Sequence, residues 1–180
     1  MVYLFLAEGF EEIEALCVLD LLRRNKIETR TVGVTGKTVN GSHNIPVVCD
    51  VTENEIDVNS DFDMIILPGG LPGSDNLHNS SVVDAFIKKA YENNKFICAI
   101  CAAPYVLGVR GLLKCKNATC YPGFEERLEG AICKDAGVVR DGNIITARAM
   151  GSATDFALEI IEALAGKEAR EQTRKAIIYN

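Results

Sequence analysis

The sequence predicts an α/β fold in which a mainly parallel sheet is covered by helices on both faces. Short apolar strands alternate with helical segments along the whole chain, the pattern of units joined by right-handed crossovers. Three of the strands end in loops of small or polar residues, and ligands of such sheets bind beyond the carboxyl ends of the strands. The 180 residues, 48% of them hydrophobic, predict a single domain over residues 1–180 with a large core.

Composition and charge exclude several classes of partner. A net charge of −6 without any cluster of Lys and Arg argues against nucleic acid. The N-terminal apolar run is too short for a signal peptide or a membrane span. Seven cysteines form an odd set without disulfide spacing, and Cys115, Cys120 and Cys133 lack a fourth ligand at zinc spacing. We therefore expect a cytoplasmic protein with reduced thiols, no metal and no other cofactor.

The first half of the chain is predicted to form two strands and a helix around one loop. A buried strand, Val2–Leu6, leads through residues 7–10 into a helix over residues 11–24, with acids first and arginines last. The helical spacing places Ile13, Leu16, Leu19 or Asp20, and Arg23 on related faces. A strand over residues 28–34, a hairpin over residues 36–49 and an acidic connection with a helical turn follow.

The second half predicts two further parallel strands and their helices. A strand over residues 62–67 ends in Pro68-Gly69-Gly70, and helical periodicity follows over residues 82–93. The next strand covers residues 95–100 and a short helix residues 103–109. The remaining predicted elements are a strand over residues 115–120, a hairpin over residues 138–145, and helices over residues 152–165 and 167–175.

Cys101 lies where the strand over residues 95–100 turns into a helix. In a nucleophile elbow the reactive side chain occupies such a turn, and its neighbours are small because the strand and helix backbones converge. Ala99 and Ala103 fill these flanking positions, and a helix start favours a thiolate. We interpret Cys101 as a nucleophile rather than a buried structural cysteine. Cys98 is predicted to be core, because three extended residues separate it from Cys101 by ~10 Å, too far for a disulfide.

Acidic residues at the start of the first helix are candidate partners of Cys101. Neither histidine, His43 or His78, follows a predicted strand end, so a Cys–His pair is not indicated. Glu11 and Glu12 could equally be surface caps of the helix. Glu14 stands among apolar neighbours, where a carboxylate is costly unless it is partnered or protonated.

Backbone N–H groups near the elbow could stabilise an oxyanion. The Gly69-Gly70 dipeptide lets a ligand approach the backbone closely, and the N–H groups of Gly70 and Ala102 could together hold a negatively charged oxygen. A plain turn is the alternative interpretation of these glycines. A protonated Glu14 that donates to the thiolate is expected to lower the pKa of Cys101 below ~8.5.

Four segments resemble the ThiJ/PfpI family and, within it, the parkinsonism-associated deglycase branch. They run in family order over nearly the whole chain: residues 7–14 (AEGFEEIE), 66–70 (ILPGG), 99–104 (AICAAP) and 146–158 (TARAMG and FAL). The resemblance implies a flavodoxin-like three-layer sandwich and a homodimer built partly on the first helix. It also implies that Cys101 is an oxidisable nucleophile and Glu14 a protonated carboxyl group bonded to its sulfur.

The resemblance implies an enzyme of the glyoxalase or deglycase type that acts on dicarbonyls such as methylglyoxal, or on their early adducts. It places Glu11, Gly69, Tyr121 and Arg148 around the substrate pocket, with Gly70 and Ala102 as oxyanion donors. Peptidase members carry histidine directly after the nucleophile, where this chain has Ala102, which argues against proteolysis. Tyr121 stands where related chains often have a pocket histidine. The alternative function is a redox sensor or stress-response chaperone that signals through oxidation of Cys101.

Overall fold

The computed structural model describes residues 1–179, which form three layers around a seven-stranded sheet. The strand order is β10-β11-β7-β6-β1-β2-β5, and every pairing is parallel except that of β10 with β11. The strands of this sheet are β1 (Val2–Leu6), β2 (Thr29–Gly33), β5 (Val51–Thr52), β6 (Met64–Leu67), β7 (Phe96–Ile100), β10 (Val138–Asp141) and β11 (Ile144–Ala147). This arrangement confirms the predicted flavodoxin-like sandwich.

Helices cover both faces of the sheet, and two small two-stranded sheets complete the fold. The helices are α1 (Glu12–Arg24), α2 (Gly73–Asn79), α3 (Ser81–Glu92), α4 (Pro104–Gly108) and α5 (Ala153–Ala176). The small sheets pair β3 (Thr38–Asn40) with β4 (Pro46–Val48), and β8 (Asn117–Ala118) with β9 (Ile132–Cys133). Helices α1 and α5 pack on one face of the central sheet, and α2, α3 and α4 on the other. Because helices cover both faces of the sheet, side chains on both sides of its central strands are buried, which explains why these strands are almost wholly apolar.

The buried face of α1 is not formed by the residues that the predicted helical spacing groups together. Ala15, Val18 and Leu22 are fully buried, whereas Ile13 is 52% exposed and Arg23 is exposed. The predicted grouping of Ile13, Leu16 and Arg23 is therefore not the face that packs on the sheet. The helix has apolar residues on two faces, and periodicity alone does not tell which of them the domain core covers.

Two shorter elements also differ from the prediction, and one predicted break is confirmed. Residues Gly73–Asn79 form α2, where no element is predicted. Val51 and Thr52 lie in the predicted acidic connection, but they pair with β2 at the sheet edge. The predicted break between two C-terminal helices is confirmed at Gly166, whose φ of +87° interrupts α5. None of the described helices is long and apolar enough to cross a membrane.

Candidate active site

Cys101 occupies a strained turn directly after β7. Its φ is +65°, a left-handed conformation that residues other than glycine seldom adopt and that is frequent at functional sites. Its N–H donates to the Ala147 carbonyl (2.9 Å) and its own carbonyl accepts from the Tyr121 N–H (2.8 Å). Pro104 then begins α4, where a missing N–H is harmless. These contacts confirm the predicted elbow and fix the direction of the cysteine side chain from both sides.

Glu14 reaches the elbow from the first turn of α1. Its side chain is 1% exposed, and Oε2 accepts a 2.8 Å hydrogen bond from the Gly69 N–H. Oε1 is buried and makes no hydrogen bond of good geometry. A Cβ on Gly69 would lie 2.5 Å from Glu14 Oε2 and 2.6 Å from Cys101 Cβ. The absence of a side chain at Gly69 therefore allows the carboxyl group and the cysteine to approach the same point.

Burial determines the protonation of this pair. Burial is the main cause that raises the pKa of Glu14 to about 7. Burial, the charge of the Glu14 carboxylate and its hydrogen bond raise the pKa of the Cys101 thiol to about 12. The two groups thus act as a coupled diacid whose first proton leaves near neutral pH and whose second is held strongly.

The expected lowering of the thiol pKa therefore fails for the form in which Glu14 is ionised, and it applies only to the form in which Glu14 keeps its proton. A single negative charge is available to the pair at neutral pH, and it can reside on the sulfur or on the carboxylate. The N–H groups of Ala102 and Gly70 face the sulfur and lower the pKa of Cys101. They favour the form in which the sulfur is negative and Glu14 keeps its proton.

Gly70 is a glycine for a steric reason. Its φ is +87°, and a Cβ there would lie 2.5 Å from both the Glu11 nitrogen and the Gly9 oxygen. Only glycine permits this close approach between the loop after β6 and the loop after β1. The two loops and the elbow therefore converge at the carboxyl ends of β1, β6 and β7, as the sequence analysis predicts.

Glu11 and Glu12 have structural roles in this corner. Glu11 is the N-cap of α1 and accepts from the Glu14 N–H at 2.7 Å, which confirms the capping interpretation for this residue. Glu12 is only 4% exposed. It accepts from the His43 N–H (2.7 Å) and bonds His43 Nδ1 (3.0 Å). The pair joins the β3–β4 hairpin to α1, a contact across 31 residues that no local pattern signals.

Tyr121 and Arg148 lie beside the elbow because backbone hydrogen bonds join Cys101 to Tyr121 and to Ala147, the residue before Arg148. Tyr121 is 48% exposed, and its ring meets that of Phe124 edge to face. Arg148 follows the carbonyl that holds the Cys101 N–H, and its guanidinium pairs with Asp135. Among the described residues, the Tyr121 and Arg148 side chains make other contacts and no hydrogen bond to Cys101. Their assignment to the substrate pocket stays a prediction.

Other clusters of titratable side chains lie away from the Glu14–Cys101 pair. Glu11, Glu12 and His43 bring one possible metal-ligand atom each within 4.8 Å, but the hydrogen bonds described above already engage them. His78 sits in α2, where its Nδ1 contacts Arg110 at 3.0 Å. A cavity of about 530 Å³, lined by Met1, Asp63 and Lys95 among others, opens at the amino ends of the strands.

All seven cysteines are free thiols, and Cys98 is fully buried as predicted.

Comparison with known proteins gives consistent matches over the whole chain. Residues 1–163 match the DJ-1/PfpI family. The protein DJ-1alpha of Drosophila melanogaster is 38% identical over 179 residues, covering 98% of this chain and 82% of that protein. A cysteine-to-alanine variant of a DJ-1 superfamily protein from Salmonella typhimurium superposes with a TM-score of 0.94, at 37% identity over 99% of this chain and 98% of that one. Oxidised DJ-1 of Toxoplasma gondii gives a TM-score of 0.94 at 32% identity, covering 99% and 97% of the two chains.

Proposed function

The chain belongs to the DJ-1/PfpI family, and from that premise we propose that it is a cysteine-dependent enzyme of the glyoxalase or deglycase type. Its substrates are reactive dicarbonyls such as methylglyoxal, or their early adducts on thiols and amines. The observation that carries the proposal is the pairing of a strained elbow cysteine with a buried carboxyl group whose pKa is raised to about 7. A group that titrates near neutral pH can both donate and accept a proton during turnover.

The proposed reaction begins when the Cys101 thiolate attacks the aldehyde carbon of methylglyoxal. A carbon–sulfur bond forms, and the electron pair of the carbonyl moves to its oxygen, near the N–H groups of Gly70 and Ala102. Glu14 gives its proton to this oxygen, which completes a hemithioacetal and leaves a carboxylate.

Glu14, now a carboxylate, takes the proton of the former aldehyde carbon, and the electron pair of that C–H bond forms a double bond to the neighbouring carbon, whose oxygen takes up a proton. The proton held by Glu14 is then added to the second carbon while the first hydroxyl gives up its proton, so that one O–H proton in all passes from the first oxygen to the second. The first carbon is oxidised to a thioester and the second is reduced to an alcohol, so that no external oxidant is consumed. Water hydrolyses the thioester, which releases lactate and restores the thiol. The sum is methylglyoxal plus water giving lactate.

The direct test is formation of D-lactate from methylglyoxal by the purified protein. Cys101→Ser should reduce turnover to the uncatalysed rate, because an alcohol near neutral pH is a far weaker nucleophile than a thiolate. The matched control is Cys115→Ser, since Cys115 is an exposed free thiol away from the elbow, and this variant should retain turnover. Wild-type protein that forms no D-lactate above the buffer rate would overturn the proposal.

A redox sensor is the second candidate, supported by the oxidised state of the Toxoplasma gondii relative. In this case hydrogen peroxide oxidises the Cys101 thiolate to sulfenate and a second equivalent oxidises it to sulfinate, each step releasing water. Peptide mass spectrometry after peroxide treatment should locate sulfinate at Cys101 before the other six cysteines. A sensor without turnover would show this product and no D-lactate.

A homodimer in the cytoplasm completes the proposal. The exposed apolar side chain of Ile13 on α1, next to the site, supports a second copy as the partner of this face. Sedimentation at micromolar concentration should give twice the 19.6 kDa of one chain, because interfaces of standard size are stable there. Ile13→Glu should shift the protein to the monomer. A wild-type protein that sediments only as the monomer would contradict this part.

A further inference from the structure

Tyr105 links the two segments that carry the oxyanion N–H groups. It lies in the first turn of α4, the helix that follows the Cys101 elbow, and its side chain is fully buried. Its hydroxyl group donates a 2.5 Å hydrogen bond to Asp75 Oδ1 in the first turn of α2. The Ala102 N–H therefore lies close to one end of this hydrogen bond along the chain, and the Gly70 N–H close to the other.

The first turn of α2 is joined directly to the Gly70 loop. The Ser74 N–H donates to the Gly70 carbonyl at 2.9 Å. A Cβ on Gly73 would lie 2.6 Å from the Phe10 nitrogen, so this turn also packs tightly against the loop after β1. A shift of the first turn of α2 therefore moves the Gly70 N–H relative to Cys101.

The ring of Tyr105 contacts a third segment that holds the nucleophile. Its centroid lies 3.5 Å from the Arg127 guanidinium carbon and 6.3 Å from the centroid of the Phe124 ring. The Phe124 N–H donates to the Tyr121 carbonyl at 3.0 Å, and the Tyr121 N–H donates to the Cys101 carbonyl at 2.8 Å. One buried side chain thus joins α4, which carries it, to α2 and to the segment that begins at Tyr121.

The hydroxyl group of Tyr105 keeps its proton at neutral pH. Burial and the hydrogen bond and charge of Asp75 raise the pKa of Tyr105 above the usual range for tyrosine. A hydroxyl group that donates to a carboxylate forms a short and strong hydrogen bond. This bond therefore holds the first turns of α2 and α4 together at a fixed distance.

A separate set of hydrogen bonds joins α2 and α4 near their C-terminal ends. Arg110 Nη2 donates to the His78 carbonyl at 3.0 Å, and Arg110 Nη1 donates to the Val106 carbonyl at 2.7 Å. Arg110 Nε also donates to Asp84 in α3 at 2.9 Å. These contacts do not involve the Tyr105 hydroxyl group, so we expect the helices to remain packed when it is removed. Its loss should then change the spacing at the elbow rather than the fold.

We propose that Tyr105 is a positioning residue, which sets the distance between the Gly70 and Ala102 N–H groups. It acts through its hydrogen bond to Asp75. The role rests on the proposed function, because the two N–H groups stabilise the oxyanion that forms in the first step. A misplacement of about 1 Å can cost roughly 10²-fold in rate. The same N–H groups face the sulfur before any substrate binds, so Tyr105 also affects the reactivity of free Cys101.

The variant that tests this role is Tyr105→Phe, which keeps the ring and removes only the hydroxyl group. The kcat for D-lactate formation should fall about tenfold to a hundredfold and KM should change little, because the N–H groups act on charge that develops in the transition state. The matched control is Tyr3→Phe, since Tyr3 is a buried tyrosine in β1, packed against Phe62 and Phe86 away from the elbow. This control should retain the wild-type kcat.

Two substitutions at Asp75 keep the test valid if Tyr105→Phe folds poorly. Asp75→Asn keeps an oxygen that accepts from the Tyr105 hydroxyl group and should retain most of the wild-type kcat. Asp75→Leu has no acceptor and should lose about as much as Tyr105→Phe. The variant that combines Tyr105→Phe with Asp75→Leu should lose no more than either single variant, because both remove the same hydrogen bond.

The reactivity of Cys101 separates this role from the proposed function, because alkylation by iodoacetamide needs no turnover. Peptide mass spectrometry gives the pH midpoint of alkylation at Cys101. In Tyr105→Phe the midpoint should move upward by about half a pH unit, because misplaced N–H groups stabilise the thiolate less well. Tyr3→Phe should leave the midpoint unchanged.

An unmoved midpoint in Tyr105→Phe would overturn the positioning role, whatever the stability of the variant in urea. A wild-type kcat in Tyr105→Phe would overturn it as well. Wild-type protein that forms no D-lactate would instead overturn the proposed function, and the alkylation midpoint would then decide the role of Tyr105 alone.

Discussion

The two buried glutamates in the first turn of α1 have pKa values shifted in opposite directions. Glu12 and Glu14 are 4% and 1% exposed, so burial alone opposes the charge of both. Around Glu12, hydrogen bonds from His43 outweigh burial and lower its pKa. Glu14 receives one N–H bond from Gly69 and has an unpartnered Oε1, and its pKa is raised to about 7. The difference lies both in the hydrogen-bond partners and in depth, because Glu14 is surrounded by far more of the protein than Glu12 although little of either side chain is exposed.

This comparison separates a structural acid from a reactive one. Glu12 is fully satisfied and holds the β3–β4 hairpin against α1. Glu14 is left with free hydrogen-bonding capacity next to a nucleophile. Groups whose pKa is shifted by burial and a specific charged neighbour often mark functional sites. The same residue type, two positions apart, thus serves the fold in one case and supports chemistry in the other.

The largest expected difference between the two acids is in turnover. Glu14→Leu should lower D-lactate formation by about 10²–10⁴-fold, the usual contribution of a general acid or base. Glu12→Gln is the matched control and should retain turnover, because Glu12 does not face Cys101. Equal losses of D-lactate formation in the two variants would show that activity depends on the intact first turn of α1 and not on Glu14 itself.

The second difference concerns stability against pH. The pKa of Glu14 rises from 4.5 to about 7 on folding, so the folded state keeps a proton that the unfolded state loses in this window. Folding free energy contributed by Glu14 is therefore lost as pH rises from about 4.5 to 7. Glu14→Gln stays neutral and should be more stable than wild type by roughly 3 kcal/mol at about pH 8.

Urea unfolding of wild type and Glu14→Gln at about pH 4 and about pH 8 measures this effect. The two proteins should differ little at the lower pH and most at the higher one. A stability difference that does not change with pH would mean that the pKa of Glu14 is the same in the folded and unfolded states, which contradicts the raised pKa.

The third difference is the stability cost of losing Glu12. Glu12→Gln should destabilise the protein by about 1–2 kcal/mol, because buried charged hydrogen bonds to the hairpin are lost. The reverse sign is thus expected for the same substitution at the two positions. Urea unfolding near neutral pH measures it, and a stabilised Glu12→Gln would remove the structural role of the pair.

The smallest expected effect is the pH range over which the Glu12–His43 pair acts. Glu12 has a lowered pKa, so its contribution is lost only as pH falls through that value. The hydrogen bond and charge of Glu12 raise the pKa of His43 above 6.5, so its charge is lost as pH rises past that raised value. The stability difference between wild type and Glu12→Gln should therefore shrink at alkaline pH. A difference that grows there would contradict the assigned charge state of His43.

The elbow and Glu14 could be predicted from local sequence because each depends on neighbours in the chain. Cys101 is marked by small residues at a strand-to-helix junction, and Glu14 by a carboxylate set among apolar side chains. The loops that meet there follow from the rule that ligands bind at the carboxyl ends of parallel strands. These are short-range signals combined with one topological rule.

The parts that escaped prediction depend on long-range contacts. The bond between Glu12 and His43 spans 31 residues, and the burial of Val18 in place of Ile13 is decided by what packs on α1. The pKa of Cys101 also depends on long-range terms, because burial of the sulfur and the charge of an ionised Glu14 raise it, against the lowering expected from the helix start and a protonated Glu14. Burial and the positions of neighbouring charges depend on the complete tertiary structure, not on the local sequence.

The central claim is that Cys101 and Glu14 share the proton that leaves near neutral pH, with the negative charge on the sulfur. The measurement is the pH dependence of iodoacetamide alkylation at Cys101, followed by peptide mass spectrometry in wild type and Glu14→Leu. We expect the wild-type rate to rise through about pH 7, where the pair loses its first proton. In Glu14→Leu, which lacks the donor, the midpoint should move to higher pH. A Glu14→Leu variant that alkylates at lower pH than wild type would show that Glu14 is a carboxylate that repels the thiolate, and would contradict the account.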